Sequence, residues 1–311
     1  MRVGFVGIGK MGRHMAARLV NAGFPLTVHD VRSDAVKALA DMGAVVADSP
    51  RRLAEQCEII CSCLPGPAEM EPVAIGPDGI LEGIRPGSVY VDHTTNSPIL
   101  VRRVQRMMLE KGASMLDAPV SGGVTGAEKG TLTIQVGGAE GALERCRPVL
   151  SAMASTVLRV GDIGAGCICK ITHNCAVFSA NLAMMECLTL GVKAGVDPST
   201  LVELFQKSGI GRNHDLQVSL PVTLFQGVFE PRFALQTAAK DMGLAAELAR
   251  AFDLPMRVTG ICAQEMDEAM ARGWAEKDHS IYLTIQEERA GVQIRVRKDQ
   301  PAGPKGEEKT R

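Results

Sequence analysis

The chain reads as an α/β protein: a doubly wound, mostly parallel Rossmann domain joined by a long helix to an all-α C-terminal domain. Three observations predict this. Roughly the first half alternates short apolar runs with helical stretches, the pattern that builds a parallel sheet covered on both faces. The first apolar run opens directly onto Gly7-Ile8-Gly9-Lys10-Met11-Gly12. From Gly164 an apolar stretch then runs without proline to Gly195, with Pro198 just beyond, as a single long helix would.

The 311 residues suit two domains, each with a sizeable core. A formal net charge of −1 gives no reason to expect a nucleic-acid or membrane partner. No stretch of about 18 residues reads as apolar enough to span a bilayer. The N-terminus enters a strand at once, so no signal or transit segment is expected. Nine cysteines, an odd number and mostly inside apolar segments, imply reduced thiols and a cytoplasmic location. They lack metal-ligand spacing, so no metal is expected. A CxC site at Cys61 and Cys63, or at Cys167 and Cys169, is the alternative. Residues 297–311 are charged and rich in Pro and Gly, a composition that predicts disorder.

Residues 2–6 form the first strand, and the GxGxxG run follows it into a helix through Met15, Ala16, Leu19 and Val20. Gly7 serves the tight turn, Gly9 lets a pyrophosphate approach the backbone, and Gly12 lets helix and strand pack closely. The helix start then offers free N–H groups to phosphates. A second strand over 25–29 ends at Asp30, where an acid would bond a ribose 2′-OH. Asp30 also suits an N-cap for the following helix, and the two roles are compatible. Further strands are expected at 43–47, 58–63, 88–91 and 114–118, with helices at 50–56 and 98–111. Ligands of such sheets lie outside the carboxyl ends of the strands. Leu64, Pro65 and Thr95 stand at those ends, as cofactor contacts or as plain turn residues.

Asp117-Ala-Pro-Val-Ser121-Gly122-Gly123 leaves another strand end. Small residues with freely turning backbone can aim several N–H groups at one anion, or can form a merely flexible loop. Strands are expected at 131–136 and 156–159, and a domain boundary near 163. In the long helix, about 29 residues would span roughly 44 Å. Lys170 and Asn174 are four apart and share a face. An ammonium beside an amide suits a reaction site, yet spacing by itself favours a solvated lysine on an ordinary core helix. The remainder reads as helices at 198–208, 235–251 and 255–272.

Four motifs in order now form a pattern: Gly4-Phe-Val-Gly-Ile-Gly-Lys-Met-Gly12, Asp117-Ala-Pro-Val-Ser-Gly-Gly123, Gly164-x-Gly-x-x-x-Lys170-x-x-x-Asn174 and Lys240-Asp-Met-Gly-Leu-Ala245. Over residues 1–296 the chain resembles the β-hydroxyacid dehydrogenases, whose members include 3-hydroxyisobutyrate dehydrogenase and tartronate semialdehyde reductase. The resemblance implies that Lys170 is the acid/base, that Ser121, Gly122 and Gly123 hold the substrate's acid group, and that Asn174 orients the substrate. It also implies that Leu64, Pro65, Thr95 and Lys240 line the cofactor site. Phe233 and Lys240 are expected to pack over the cofactor from the helical domain. His173-Asn174 after Lys170 resembles 6-phosphogluconate dehydrogenases as well. That group usually carries Asp-Gly-Gly-Asn where this chain has Asp92-His-Thr-Thr95, which favours a small unphosphorylated substrate.

The expected domains are 1–163 for the dinucleotide, 164–296 for substrate and dimerisation, and a tail over 297–311. The expected function is reversible oxidation of a small 3-hydroxy acid to its semialdehyde or keto acid, using NAD, with NADP admitted. A homo-oligomer, dimer or tetramer, is expected. Two alternatives stand beside it: a non-catalytic dinucleotide sensor or scaffold, and a short 6-phosphogluconate dehydrogenase-like enzyme.

Overall fold

The computed structural model describes residues 1–208 and 215–296. The expected disordered tail lies outside the described residues. The first six strands are β1 (Val3–Val6), β2 (Leu26–His29), β3 (Val45–Val46), β4 (Ile59–Ser62), β5 (Val89–Asp92) and β6 (Ser114–Asp117). They lie side by side in the order β3-β2-β1-β4-β5-β6, every neighbouring pair parallel. This is the dinucleotide-binding order, with the switch point between β1 and β4.

Side-chain alternation explains why the sheet is apolar on both faces. Val3, Phe5, Ile59, Cys61, Val89 and Val91 face one core, with Met15 and Leu19 of α1 (Gly12–Asn21). Val6, Ile60 and Tyr90 face the other, with Val101, Val104 and Met108 of α6 (Pro98–Glu110). Between these helices come α2 (Ser33–Asp41), α3 (Pro50–Ala54), α4 (Pro67–Ile75) and α5 (Ile80–Gly83). Ser49 caps α3 by accepting the Arg52 N–H at 3.2 Å.

Beyond β6 the sheet departs from the simple alternation. The run after Asp117, open between an anion nest and a flexible loop, forms β7 (Val120–Ser121), then α7 (Gly123–Lys129). β7 pairs antiparallel with β8 (Leu132–Gly137), which pairs parallel with β9 (Ala154–Gly161), and α8 (Glu140–Met153) connects those two. Pairing with a strand 10 residues on fixes Ser121 opposite Thr133, and no local signal announces it.

The long helix is α9 (Ala165–Lys193), with 29 residues. Contrary to expectation, it is long and apolar enough to cross a membrane by length and composition, with a mean hydropathy of 1.5 over its 18-residue window. Its buried Cys167, Ile171, Phe178, Met185 and Leu188 are those of a core helix, and it also carries Lys170, His173 and Asn174. The remaining helices are α10 (Pro198–Lys207), α11 (Leu235–Ala251), α12 (Arg257–Ala271) and α13 (Thr284–Ala290).

Packing divides the chain differently from the linear boundary expected at 163. One compact unit holds Met1–Cys175 with Lys240–Pro255, and the other holds Ala176–Ala239 with the chain from Met256. Helices α9 and α11 are each shared, because the start of α9 and most of α11 pack with the sheet rather than with their sequence neighbours. In the second unit, Phe178, Phe233 and His279 form a ring cluster with centroids 5.4–6.1 Å apart. Tyr282 Oη donates to the Phe178 carbonyl at 2.9 Å. Trp274 lies beneath Arg272 and Lys277, with cation–centroid distances of 5.1 and 5.6 Å, a packing role. None of the nine cysteines, all among the described residues, is in a disulfide, and among the described residues no cluster suits a metal ion.

Candidate active site

The glycine loop is set by backbone sterics. Gly7 has φ +90, and a Cβ there would meet the Cys63 carbonyl at 2.5 Å. A Cβ on Gly12 would stand 1.9 Å from the Gly7 carbonyl oxygen. Gly9 differs: a Cβ on it would meet nothing within 4 Å, so that side of the loop is open. The N-cap residue Met11 makes no side-chain cap, while the Arg13 N–H donates to the Gly9 carbonyl and the His14 N–H to the Met11 carbonyl, at 3.1 Å each. Lys10 is exposed, while Ile8 is buried.

Asp30 does more than stand at the end of β2. Its Oδ2 accepts the Ile8 N–H at 2.7 Å and its Oδ1 accepts the Arg32 N–H at 2.9 Å. The acid therefore ties the loop to the next strand. The Arg32 guanidinium Nε lies 3.6 Å from Oδ1 and is well exposed, so this pair is worth little in stability.

Leu64 and Pro65 lie in the loop after β4, and Thr95 in the loop after β5. The Leu64 N–H donates to Thr94 Oγ1 at 3.1 Å, joining the loops after β4 and β5. Beneath them Asp92, fully buried, accepts from Ser62 Oγ at 2.8 Å, the Thr94 N–H at 3.1 Å and Asn96 Nδ2 at 3.0 Å. Burial pushes the Asp92 pKa up, and those donors hold it back. Lys240 packs with the first unit, not the helical one as expected. A Cβ on Gly66 would touch its Cδ at 2.8 Å, and its ammonium donates to the Thr95 carbonyl at 3.1 Å. Phe233 lies in the ring cluster of the second unit.

The third group of residues centres on Lys170. Asp117, at the end of β6, caps the entry to α9, accepting the Gly164 and Cys167 N–H groups at 2.7 Å each. A Cβ on Gly166 would meet the Gln135 carbonyl at 2.5 Å and that of Asp117 at 2.6 Å, so the helix starts pressed against the sheet. Burial pushes the Asp117 carboxyl up to about 6, with the two helix N–H groups opposing. Two turns on, Lys170 Nζ donates to Ser121 Oγ at 3.4 Å, and Gln135 Nε2 donates to the same oxygen at 3.2 Å. Two donors occupy the hydroxyl's lone pairs and leave its O–H as a donor. Gly122 and Gly123 continue from it with φ 123 and 61, angles that glycine adopts without strain.

Asn174 is buried, and its Nδ2 donates to Asp241 Oδ2 at 2.6 Å. The exposed His173 has Nδ1 3.2 Å from Asn174 Oδ1. Burial lowers the Lys170 pKa from the ordinary lysine value. The Asp241 carboxylate pulls it back up, and the Lys240 ammonium pushes it further down. Asp241, Asp117, Asp92 and Gln135 were not singled out from sequence for these contacts. The adjacency of Asp241 to Lys240 was the available signal.

Two family models cover most of the chain. The NAD-binding domain of 6-phosphogluconate dehydrogenase matches residues 2–161. The NAD-binding domain of NADP-dependent 3-hydroxyisobutyrate dehydrogenase matches residues 164–285. The 2-(hydroxymethyl)glutarate dehydrogenase of Eubacterium barkeri is 34% identical over 294 residues, covering 94% of this chain and 97% of that protein. This chain belongs to the β-hydroxyacid dehydrogenase family. The family places it among oxidoreductases that act on the CH–OH group of small hydroxy acids with a nicotinamide dinucleotide. Other members are similar to the same degree. The NAD-dependent L-serine dehydrogenase of Pseudomonas aeruginosa is 34% identical over 289 residues, covering 90% of this chain and 96% of its own. The 3-hydroxyisobutyrate dehydrogenase of Mycobacterium tuberculosis, solved with L-serine, superimposes with a TM-score of 0.81 at 29% identity, covering 92% of this chain and 99% of that one.

The residues present fit a dinucleotide. The open side of Gly9, just before α1, and the Asp30 carboxylate are the features that a pyrophosphate and a ribose diol require.

Proposed function

We propose that Lys170 is the general acid/base of this dehydrogenase, removing the proton from the substrate hydroxyl in oxidation and returning it in reduction. A nicotinamide bound here supplies the hydride acceptor or donor. A free lysine, with a pKa of about 10.4, is a poor base at neutral pH. The observation that carries the reading is that the hydrogen-bond partner of the half-buried Lys170, Ser121 Oγ at 3.4 Å, is neutral, and burial pushes the lysine's pKa down. Such an ammonium sheds its proton more readily than one held by a carboxylate.

Ser121, Gly122 and Gly123 hold the substrate's acid group through the Ser121 O–H and the backbone N–H groups of the turn. Asn174 orients the substrate, its amide fixed by Asp241. Gly7, Ile8, Gly9, Lys10, Met11 and Gly12 receive the pyrophosphate, and Asp30 receives the adenosine ribose. Leu64, Pro65, Thr95 and Lys240 line the far end of the cofactor. NAD is preferred to NADP, because a 2′-phosphate would meet the Asp30 charge, although Arg32 at 3.6 Å softens the penalty. The substrate is a small unphosphorylated 3-hydroxy acid. The protein is a cytoplasmic homo-oligomer, a reading supported by nine cysteines outside any disulfide and by the exposed Phe252 and Leu254 of the first unit.

Lys170→Met tests this directly. The change keeps the stem length and a good helix former while removing the proton acceptor. We expect kcat to fall by roughly 10²–10⁴-fold, with the Kd for NADH unchanged. Wild-type oxidation rises with pH as Lys170 deprotonates, and the variant loses that limb. A variant within about threefold of wild-type kcat, far short of the loss of an acid/base, would move the assignment to another group, His173 first.

A further inference from the structure

Asp241 is 1% exposed, yet its carboxylate serves two partners. Oδ2 accepts from Asn174 Nδ2 at 2.6 Å and Oδ1 meets Lys240 Nζ at 2.8 Å. This buried carboxylate pairs directly with Lys240 and is tied by Asn174 to the turn of α9 next to the one that carries Lys170, and one negative charge can compensate only one lysine fully. Lys240 has the direct ion pair and the Thr95 carbonyl at 3.1 Å. Lys170 has a neutral hydroxyl at 3.4 Å. The geometry thus divides the two lysines into one paired with a carboxylate and one bonded to a neutral hydroxyl.

We propose that Asp241 and Lys240 are positioning residues that set the proton on Lys170 from opposite sides, Asp241 holding it and Lys240 driving it off. This rests on the reading of Lys170 as the acid/base. The charges facing Lys170 can be named element by element. Strand β7 brings the neutral Ser121 hydroxyl, and α11 brings Asp241 and Lys240. On its own helix stand His173 and Asn174, while Asp117 is committed to the N–H groups that start α9. The two α11 charges act in the stated directions on a lysine already destabilised as a cation by burial. A lysine with no counter-charge would carry its proton too rarely to return it in reduction. A lysine fully paired with Asp241 would hold its proton too tightly for oxidation. The pair keeps it between these extremes.

The test reads the Lys170 amine in the free protein. The pH dependence of its acylation by acetic anhydride is followed at the Lys170 peptide by mass spectrometry. Asp241→Asn deletes the charge but keeps an oxygen for the Asn174 amide, and Lys240→Gln deletes the charge but keeps a donor for Thr95. The Lys170 midpoint should move down by about one pH unit or more in Asp241→Asn, and up by a similar amount in Lys240→Gln. In the double variant, which deletes both α11 charges together, the two shifts should offset and leave the midpoint near that of the wild type. Midpoints that stay put, or move the same way in both single variants, overturn the proposal. So does a double variant that keeps either single shift, which covers the case where one single variant fails to fold. If the midpoints move as expected but the pH limb of oxidation does not follow, the inference stands and Lys170 is not the acid/base.

Discussion

The glycine loop and the surroundings of Lys170 are both polar sites at the carboxyl ends of the same sheet, yet they are made of opposite materials. The loop is backbone. Gly7 and Gly12 are fixed by contacts of 2.5 and 1.9 Å that a single Cβ would make, and one side chain, Asp30, ties it down. The Lys170 site is side chains drawn from β7, β8, α9 and α11, held by hydrogen bonds of 2.6–3.4 Å. A backbone site is indifferent to most side chains and intolerant of one methyl group. A side-chain site tolerates shape changes of that size but changes its chemistry when a single charge is altered. A tight dinucleotide site gains from the first arrangement, and a proton-transfer site needs the second.

After the loss expected at Lys170, the next largest effects should come from the loop, where Gly9 and Gly12 separate binding from fold. Gly12→Ala meets backbone, so overpacking of about 1–3 kcal/mol should lower the melting temperature by several degrees. Gly9→Ala meets only open space, so the melting temperature should hold while the Kd for NADH rises at least about tenfold, the equivalent of 1.4 kcal/mol. Equal effects from the two would show that the open side of Gly9 is not where the pyrophosphate lies.

Cofactor choice should respond next. We expect kcat/KM to favour NAD over NADP by about tenfold, or 1.4 kcal/mol, and Asp30→Ser to narrow the gap. NADP used as well as NAD by the wild type would mean that Arg32, not Asp30, governs the ribose. At the other site, Ser121→Ala removes one donor and should raise KM for the hydroxy acid by roughly three- to tenfold, the value of one net hydrogen bond. An uncharged alcohol of matching size should react poorly with the wild type. If it is turned over as well as the acid, the Ser121 turn does not bind an anion.

The smallest effect concerns Asp117. Its carboxyl is pushed up to about 6 from 3.8, so the folded state binds that proton more tightly than the unfolded chain. The resulting stability is fully present below pH about 4 and is lost as pH rises through about 6. The melting temperature of the wild type, measured against Asp117→Asn, should therefore rise as pH falls from 7 to 4. A difference that is flat or reversed would mean that the cap on α9 is better hydrated than its burial implies.

What was legible in the chain follows from what is local. The GxGxxG glycines, the acid at the end of the second strand and the 29-residue helix are each dictated within a few residues, by sterics, strand length or uninterrupted helix formers. Lys170, Asn174 and Ser121 were legible as a set only through the family pattern, since spacing within α9 is equally that of an ordinary core helix. Asp241 was invisible as a partner because its meaning lies 67 residues from Asn174.

The sequence by itself therefore determined the order of the elements, the two-faced apolar sheet and a backbone shaped for a pyrophosphate, because close-range sterics and side-chain period leave little choice there. Tertiary structure alone decided that the segment after Asp117 pairs as β7, that Lys240–Pro255 packs with the first unit, and that one buried carboxylate joins Lys240 to Asn174. Those outcomes rest on which distant surfaces meet. The electrostatics of a buried charge depend on every neighbour brought within a few ångströms, whatever its place in the chain.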